Sequence, residues 1–153
     1  MKKAVFIVML VMCFSLMSAC KTQPKAETEP AVELTETEQS YKEVYDRYRS
    51  RLILEGAGTY TVVAGDTLSQ IARKLYHDGL DYPLIMLASS EVVLDPDKIE
   101  PGMELIVPDL QKNLDDDDAR TALKEFFRAI ADIEEPRGWH DTAVGLRNRA
   151  DAL

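Results

Sequence analysis

Residues 59–68 read Thr59-Tyr60-Thr61-Val62-Val63-Ala64-Gly65-Asp66-Thr67-Leu68, and an apolar-periodic run continues from there to Leu75. A second run covers residues 82–88. The stretch closes on Ile99-Glu100-Pro101-Gly102-Met103-Glu104-Leu105-Ile106-Val107-Pro108. Tyr60, Val62 and Val63 suit a short strand. Gly65 gives the freedom for a tight turn. Asp66 or Thr67 serves to cap the helix that follows, and Thr67 with Gln70 fits a capping box. Leu68, Ile71, Ala72 and Leu75 fall on one helical face. Leu84, Ile85 and Ala88 do the same in a second, shorter helix. Pro101-Gly102 marks a turn, and Leu105 and Val107 alternate as a closing strand. The order is strand, helix, helix, strand.

The two ends of this stretch resemble those of the LysM domain. The resemblance rests on Tyr60-x-Val62-x-x-Gly65-Asp66-Thr67-Leu68-x-x-Ile71-Ala72 and on Ile99-x-Pro101-Gly102-x-x-Leu105-x-Val107-Pro108. It implies an α+β fold, a βααβ unit with two helices on one face of a two-stranded antiparallel sheet. It also implies binding of glycans that contain N-acetylglucosamine, chiefly peptidoglycan and chitin. Two departures stand out: Ser89 replaces the usual Asn after the second helix, and Tyr82 opens that helix where Trp is common. The connection over residues 90–98, with Asp95-Pro96-Asp97, is long and resembles the variant in a small potassium-binding protein. In the family, the sugar acetamide docks in a shallow groove between the first strand-helix loop and the loop before the last strand. The resemblance therefore assigns glycan contacts to Gly65, Asp66, Thr67 and Leu68 on one side. It assigns Leu94, Asp95, Pro96 and Ile99 to the other.

Outward toward the N-terminus, residues 1–19 carry Lys2 and Lys3 and then an uncharged apolar run. That is the build of a secretory leader. The run ends Leu16-Met17-Ser18-Ala19-Cys20, which resembles a bacterial lipobox. The resemblance implies cleavage before Cys20, acylation of Cys20 and a membrane anchor through that lipid. Lys21 is not the Asp that retains lipoproteins at the inner membrane in enteric-type sorting, which favours an outer membrane where one exists. Cys13 lies within the leader, so the mature chain keeps only Cys20 and forms no internal disulfide. Residues 20–36 are rich in Pro, Thr and Glu and read as a solvated tether. Residues 37–56 read as an amphipathic helix to about Leu54, with Tyr41, Val44, Tyr45, Tyr48 and Leu52 on one face and Gly56 and Gly58 as its stop. The tyrosine stripe reads as helix packing ahead of sugar stacking.

Toward the C-terminus, residues 109–153 read as a helical region that packs with residues 37–56. The acidic run at 115–118 lacks the alternation and Gly of a calcium loop and suits a helix N-terminus. Leu123, Phe126, Phe127, Ile130 and Ile133 share one face of the next helix. Glu134-Glu135-Pro136-Arg137-Gly138 breaks it. A last helix follows, with Trp139, Ala143, Leu146, Ala150 and Leu153 at helical spacing. The LysM-like unit at 57–108 is thus flanked by one helix before it and a helical hairpin after it.

The formal charge is −9, or −11 once Lys2 and Lys3 leave with the leader. A chain this acidic does not seek nucleic-acid phosphate by charge. His77-Asp78 reads as a solvated turn, and His140-Asp141 has no nucleophile beside it. Residues 109–153 hold no Cys, no Ser-His-Asp pattern and no zinc spacing. The expectation is a binding protein without enzyme activity, cofactor or metal: a lipid-anchored envelope protein whose partner is peptidoglycan. The alternative is an envelope scaffold, in which the helices bind another protein and the LysM unit is mainly structural.

Overall fold

Two short strands frame the molecule in the computed structural model, which describes residues 33–153. The leader at 1–19, Cys20 and the tether as far as residue 32 lie outside the described residues. Strand β1 (Gly58–Thr61) pairs antiparallel with β2 (Glu104–Val107), with Tyr60 opposite Leu105 and Thr61 opposite Glu104. The pairing runs on past β1, because Val62 N–H donates to Met103 O at 2.9 Å and Gly102 N–H donates to Val62 O at 2.8 Å. A two-stranded sheet does not hold itself together in water and has to be covered. Helices α2 (Leu68–Tyr76) and α3 (Tyr82–Ala88) are its cover.

Each helix is started by a local signal. Thr67 caps α2 through a complete capping box: Gln70 N–H donates to Thr67 Oγ1 at 3.3 Å, and Thr67 N–H donates to Gln70 Oε1 at 3.2 Å. The helix ends at His77, whose φ of 69° lies in the left-handed region. Asp78 then caps the next short turn by accepting from Leu80 N–H at 2.9 Å. Pro83 fits the first turn of α3, where no backbone donor is missed. Residues Tyr82 to Ala88 are apolar all round, and every one of them is buried. The reason is a second layer: α3 has α2 and β2 on one side and a helix of the flanking region on the other.

That flanking region consists of α1 (Glu36–Tyr48), α4 (Leu110–Asp115), α5 (Asp117–Glu134) and α6 (His140–Ala152). The fold is α+β, a βααβ unit with helices before and after it. Residues 33–153 gather into one compact unit. Tyr45 and Tyr48 of α1 meet the Phe126 ring of α5 at centroid distances of 6.1 and 6.0 Å. The tyrosine stripe is therefore core, unavailable for sugar stacking, with Tyr41 fully buried. Arg128–Asp151 and Arg147–Asp132 bridges align α5 and α6 as an antiparallel hairpin around Gly138.

Three expectations need correction. The helix expected over 37–56 ends at Tyr48, a 3-10 turn follows at Arg49–Arg51, and Leu52 is extended (ψ 142°). The cause is distant in sequence: Asn113 accepts from Ile53 N–H at 2.9 Å and donates to Ile53 O at 3.0 Å, which draws this backbone away from helix. Gly58 accordingly begins β1 instead of stopping a helix. Helix α4 was not foreseen; Asp109 caps it, and Asp116 caps α5 by accepting from Asp118 and Ala119 N–H. Trp139 precedes α6 and is 51% exposed, so the buried stripe of α6 is Ala143, Leu146 and Ala150.

Candidate functional site

The strand pairing sets two turns side by side at one end of the sheet. The first closes with Asp66 N–H donating to Val63 O at 3.1 Å, the second with Met103 N–H donating to Glu100 O at 3.1 Å. Their proximity follows from the Val62–Gly102 and Val62–Met103 bonds. Gly65 and Gly102 have φ of 90° and 94°, where a Cβ is strained, and both are exposed. Asp66 builds the first turn. Its Oδ2 accepts from Val63 N–H at 3.0 Å and from Tyr60 Oη at 2.8 Å. These bonds, the backbone one first, hold its carboxyl below the usual range. Thr67 is occupied with its helix cap. Leu68 is 3% exposed and belongs to the core, so its side chain is not free for the glycan contact that the resemblance assigns to it. Val63, 56% exposed on the same turn, is the apolar side chain that faces outward there.

The second wall is more tightly held than its length implies. Asp95 is 5% exposed: it caps the turn Pro96–Lys98 by accepting from Asp97 N–H at 3.0 Å and pairs with Arg137 at 3.3 Å. Its carboxylate is thus engaged within the protein, so its side chain is not free for the glycan contact that the resemblance assigns to it. Leu94, Pro96 and Ile99 are half-buried. Arg137 also reaches Asp97 at 2.8 Å, Glu134 at 3.3 Å and the Tyr41 hydroxyl. Burial pushes the Glu134 carboxyl up, against the Tyr41 hydrogen bond and the Arg137 charge. Along its other side the loop runs antiparallel to α1. Lys98 pairs with Glu38 at 3.0 Å, Tyr45 Oη donates to Val93 O at 2.9 Å, and Arg49 pairs with Glu91 at 2.7 Å.

The Ser89 departure is explained by the same frame. Ser89 is 1% exposed, and its Oγ accepts from Ile106 N–H at 2.8 Å, tying the end of α3 to β2. Its role is to hold the sheet. The residues placed directly beside the first turn are Pro101, Gly102 and Met103. Sequence reading assigned Pro101-Gly102 to a turn but not to the site, although that dipeptide was the signal for where the second turn lies.

A two-stranded antiparallel sheet with two helices between its strands is the βααβ arrangement that the resemblance to LysM implies. The family model described as LysM domain matches residues 60–108, and this segment is a LysM domain. LysM is a binding domain. The chain is similar to esterases of two Mycobacterium tuberculosis strains, with 45% identity over 62 residues, 40% of this chain and 13% of each esterase. It is also similar to the potassium binding protein Kbp of Escherichia coli O6:H1, with 42% identity over 50 residues, 33% of this chain and 34% of that protein. The chain thus spans only a small part of these relatives. No solved structure matches. Among the described residues, no helix is long and apolar enough to cross a membrane, and no three His, Cys, Asp or Glu side chains gather as a metal cluster.

Proposed function

We propose that this protein binds peptidoglycan through the two turns at the open end of the LysM sheet. The observation that carries the reading is the bonding of Val62 to both Gly102 and Met103, which leaves two glycine-bearing turns adjacent and exposed. Turns of this kind offer backbone N–H and C=O groups that hydrogen-bond an acetamide without any charged side chain. The acidic balance of the chain is therefore no obstacle. Val63 supplies an apolar contact for the acetyl methyl. Gly65 and Asp66 shape the first turn, and Pro96 and Ile99 flank the second wall.

One module makes few contacts, so its affinity alone is weak. Acylation of Cys20 would hold it at a membrane facing the wall, the outer one where present, and raise the effective concentration of glycan. Replacing Cys20 by Ala should then yield a water-soluble or unprocessed protein; partition of a mature-length variant into detergent contradicts the anchor. The binding itself is tested by sedimenting the chain from Glu33 with purified wall sacculi. Retention that soluble N-acetylglucosamine oligomers compete away supports the reading, and absence of retention overturns it.

A protein partner is the second reading. Trp139 and Val144 at the start of α6 are 51% and 53% exposed and offer apolar surface to a partner. Trp139→Ser should then reduce capture of an envelope protein without altering retention on sacculi.

A further inference from the structure

The second wall is held by a cluster drawn from four parts of the chain. Tyr41 comes from α1, Asp95 and Asp97 from the loop, Glu134 from the end of α5 and Arg137 from the turn that follows it. Tyr41, Asp95 and Glu134 are buried, and Asp97 stands half-exposed at the rim. Three carboxylates therefore share one guanidinium.

The sharing is uneven. Arg137 gives its short bond, 2.8 Å, to the half-exposed Asp97, while Asp95 and Glu134 receive bonds of 3.3 Å. A charge-assisted pair is normally about 2.7–2.9 Å. Asp95 has compensation, since it also accepts from Asp97 N–H at 3.0 Å and has Lys98 at 4.0 Å. Glu134 has, besides the long bond, only the Tyr41 hydroxyl, which donates at 2.8 Å. A buried carboxylate so weakly matched, with two like charges near it, takes up a proton more readily than one in water. Its raised carboxyl agrees, with burial as the main cause and Asp97 and Asp95 adding to it.

The surrounding elements supply no further cation. Tyr41 and Tyr45 of α1 and Tyr82 of α3 are phenols that burial pushes up, so they stay neutral. Lys98 is drawn to Glu38 at 3.0 Å. On α6, Arg147 is taken by Asp132 and Glu135, Arg149 by Asp81, and His140 acts on Glu135. Lys112 of α4 pairs with Glu55, and Arg51 pairs with Asp118 and Glu125.

We propose that this cluster is a proton switch on the second wall. When Glu134 takes a proton from solvent, it releases its share of Arg137, which then serves Asp95 and Asp97 alone and ties the loop more firmly to the helical hairpin. When Glu134 gives that proton up, the three acids compete for Arg137 and repel one another, and the loop loosens. The sign follows from the raised carboxyl: the stabilising contribution is full below the ordinary value of 4.5 and is lost as pH rises through the higher folded value. The turn held in this way is capped by Asp95, which accepts from Asp97 N–H, while Lys98 N–H donates to Asp95 O at 3.0 Å.

The test follows the chain from Glu33 by NMR of its side-chain carboxyl carbons and by amide exchange at Asp97 and Lys98, from pH about 4 to about 8, corrected for the intrinsic rate. Global unfolding is not the readout, because burial also pushes the Asp81 carboxyl up, against Arg149. The Glu134 carboxyl should titrate above 4.5. Corrected exchange at the two amides should quicken about tenfold across that midpoint. Glu134→Gln, neutral at every pH, should hold exchange at the slow level throughout. Asp97→Asn removes a like charge at a half-exposed position and should lower the Glu134 midpoint. A Glu134 midpoint at or below 4.5 overturns the switch. So does exchange in Glu134→Gln that follows pH as in the wild type, or a midpoint unmoved by Asp97→Asn. None of these readouts involves a ligand, so the switch stands or falls apart from the glycan reading.

Discussion

Ser89 and Asp95 illustrate what single residues do in this domain. Both look like site residues by position, and both are buried parts of the frame. Ser89→Ala removes the acceptor of the Ile106 N–H and should lower stability by about 1–3 kcal/mol, read by thermal or denaturant unfolding. An unchanged midpoint would mean that the bond contributes nothing. The Thr67–Gln70 box and the Gly65 turn were legible from sequence because their signals are local: one residue three positions from its partner, or one glycine at a turn. The fates of Leu68 and Asp95 were not legible. A motif fixes which turn a residue joins, while the direction of its side chain depends on what packs beneath it. For Asp95 that neighbour is Arg137, forty-two positions away.

At the level of elements, α1 is both the best and the worst predicted. Its tyrosine face was visible as a periodic stripe. Its end was not, since Leu52 continues the period and only Asn113, sixty positions on, pulls Ile53 out of the helix. Its start is fastened by Glu38, whose carboxyl is lowered from 4.5 to about 2, first by the Thr35 backbone N–H and then by Lys98 and the Thr35 hydroxyl. The sign follows from the lowering. The stabilising contribution is present above the ordinary value of 4.5 and is lost as pH falls through the folded value near 2. Amide exchange at the first turn of α1 should therefore quicken as pH is lowered from 5 toward about 2, after correction for the intrinsic rate. Glu38→Gln should abolish that added dependence. A wild-type profile identical to that of Glu38→Gln would remove Glu38 from this role.

Over the whole molecule, chain segments on both sides of the LysM domain meet each other and grip it. Arg137 holds Asp95 and Asp97, and Arg149 makes a two-bond pair with the buried Asp81 at 2.8 and 3.1 Å. Removing the residues after Asp109 strips α1 of its Phe126 partner and frees these acids. We expect amide protection across Tyr41, Tyr45 and Tyr48 to collapse in that truncation, because a lone helix of this length is marginal in water. Retained protection would mean that α1 is held by the LysM domain alone. The apolar stripes made this assembly foreseeable in outline, but the arginine clamps join residues with no shared local pattern. The central claim remains the glycan site at the paired turns. Its most direct test is residue-resolved NMR of the chain from Glu33 with N-acetylglucosamine oligomers at millimolar concentration. The account predicts shifts concentrated at Val63, Ala64, Gly65 and Asp66 and at Pro101-flanking Glu100, Gly102 and Met103, weakened by Val63→Ser without loss of fold. No shift at either turn, or shifts confined elsewhere, would contradict it.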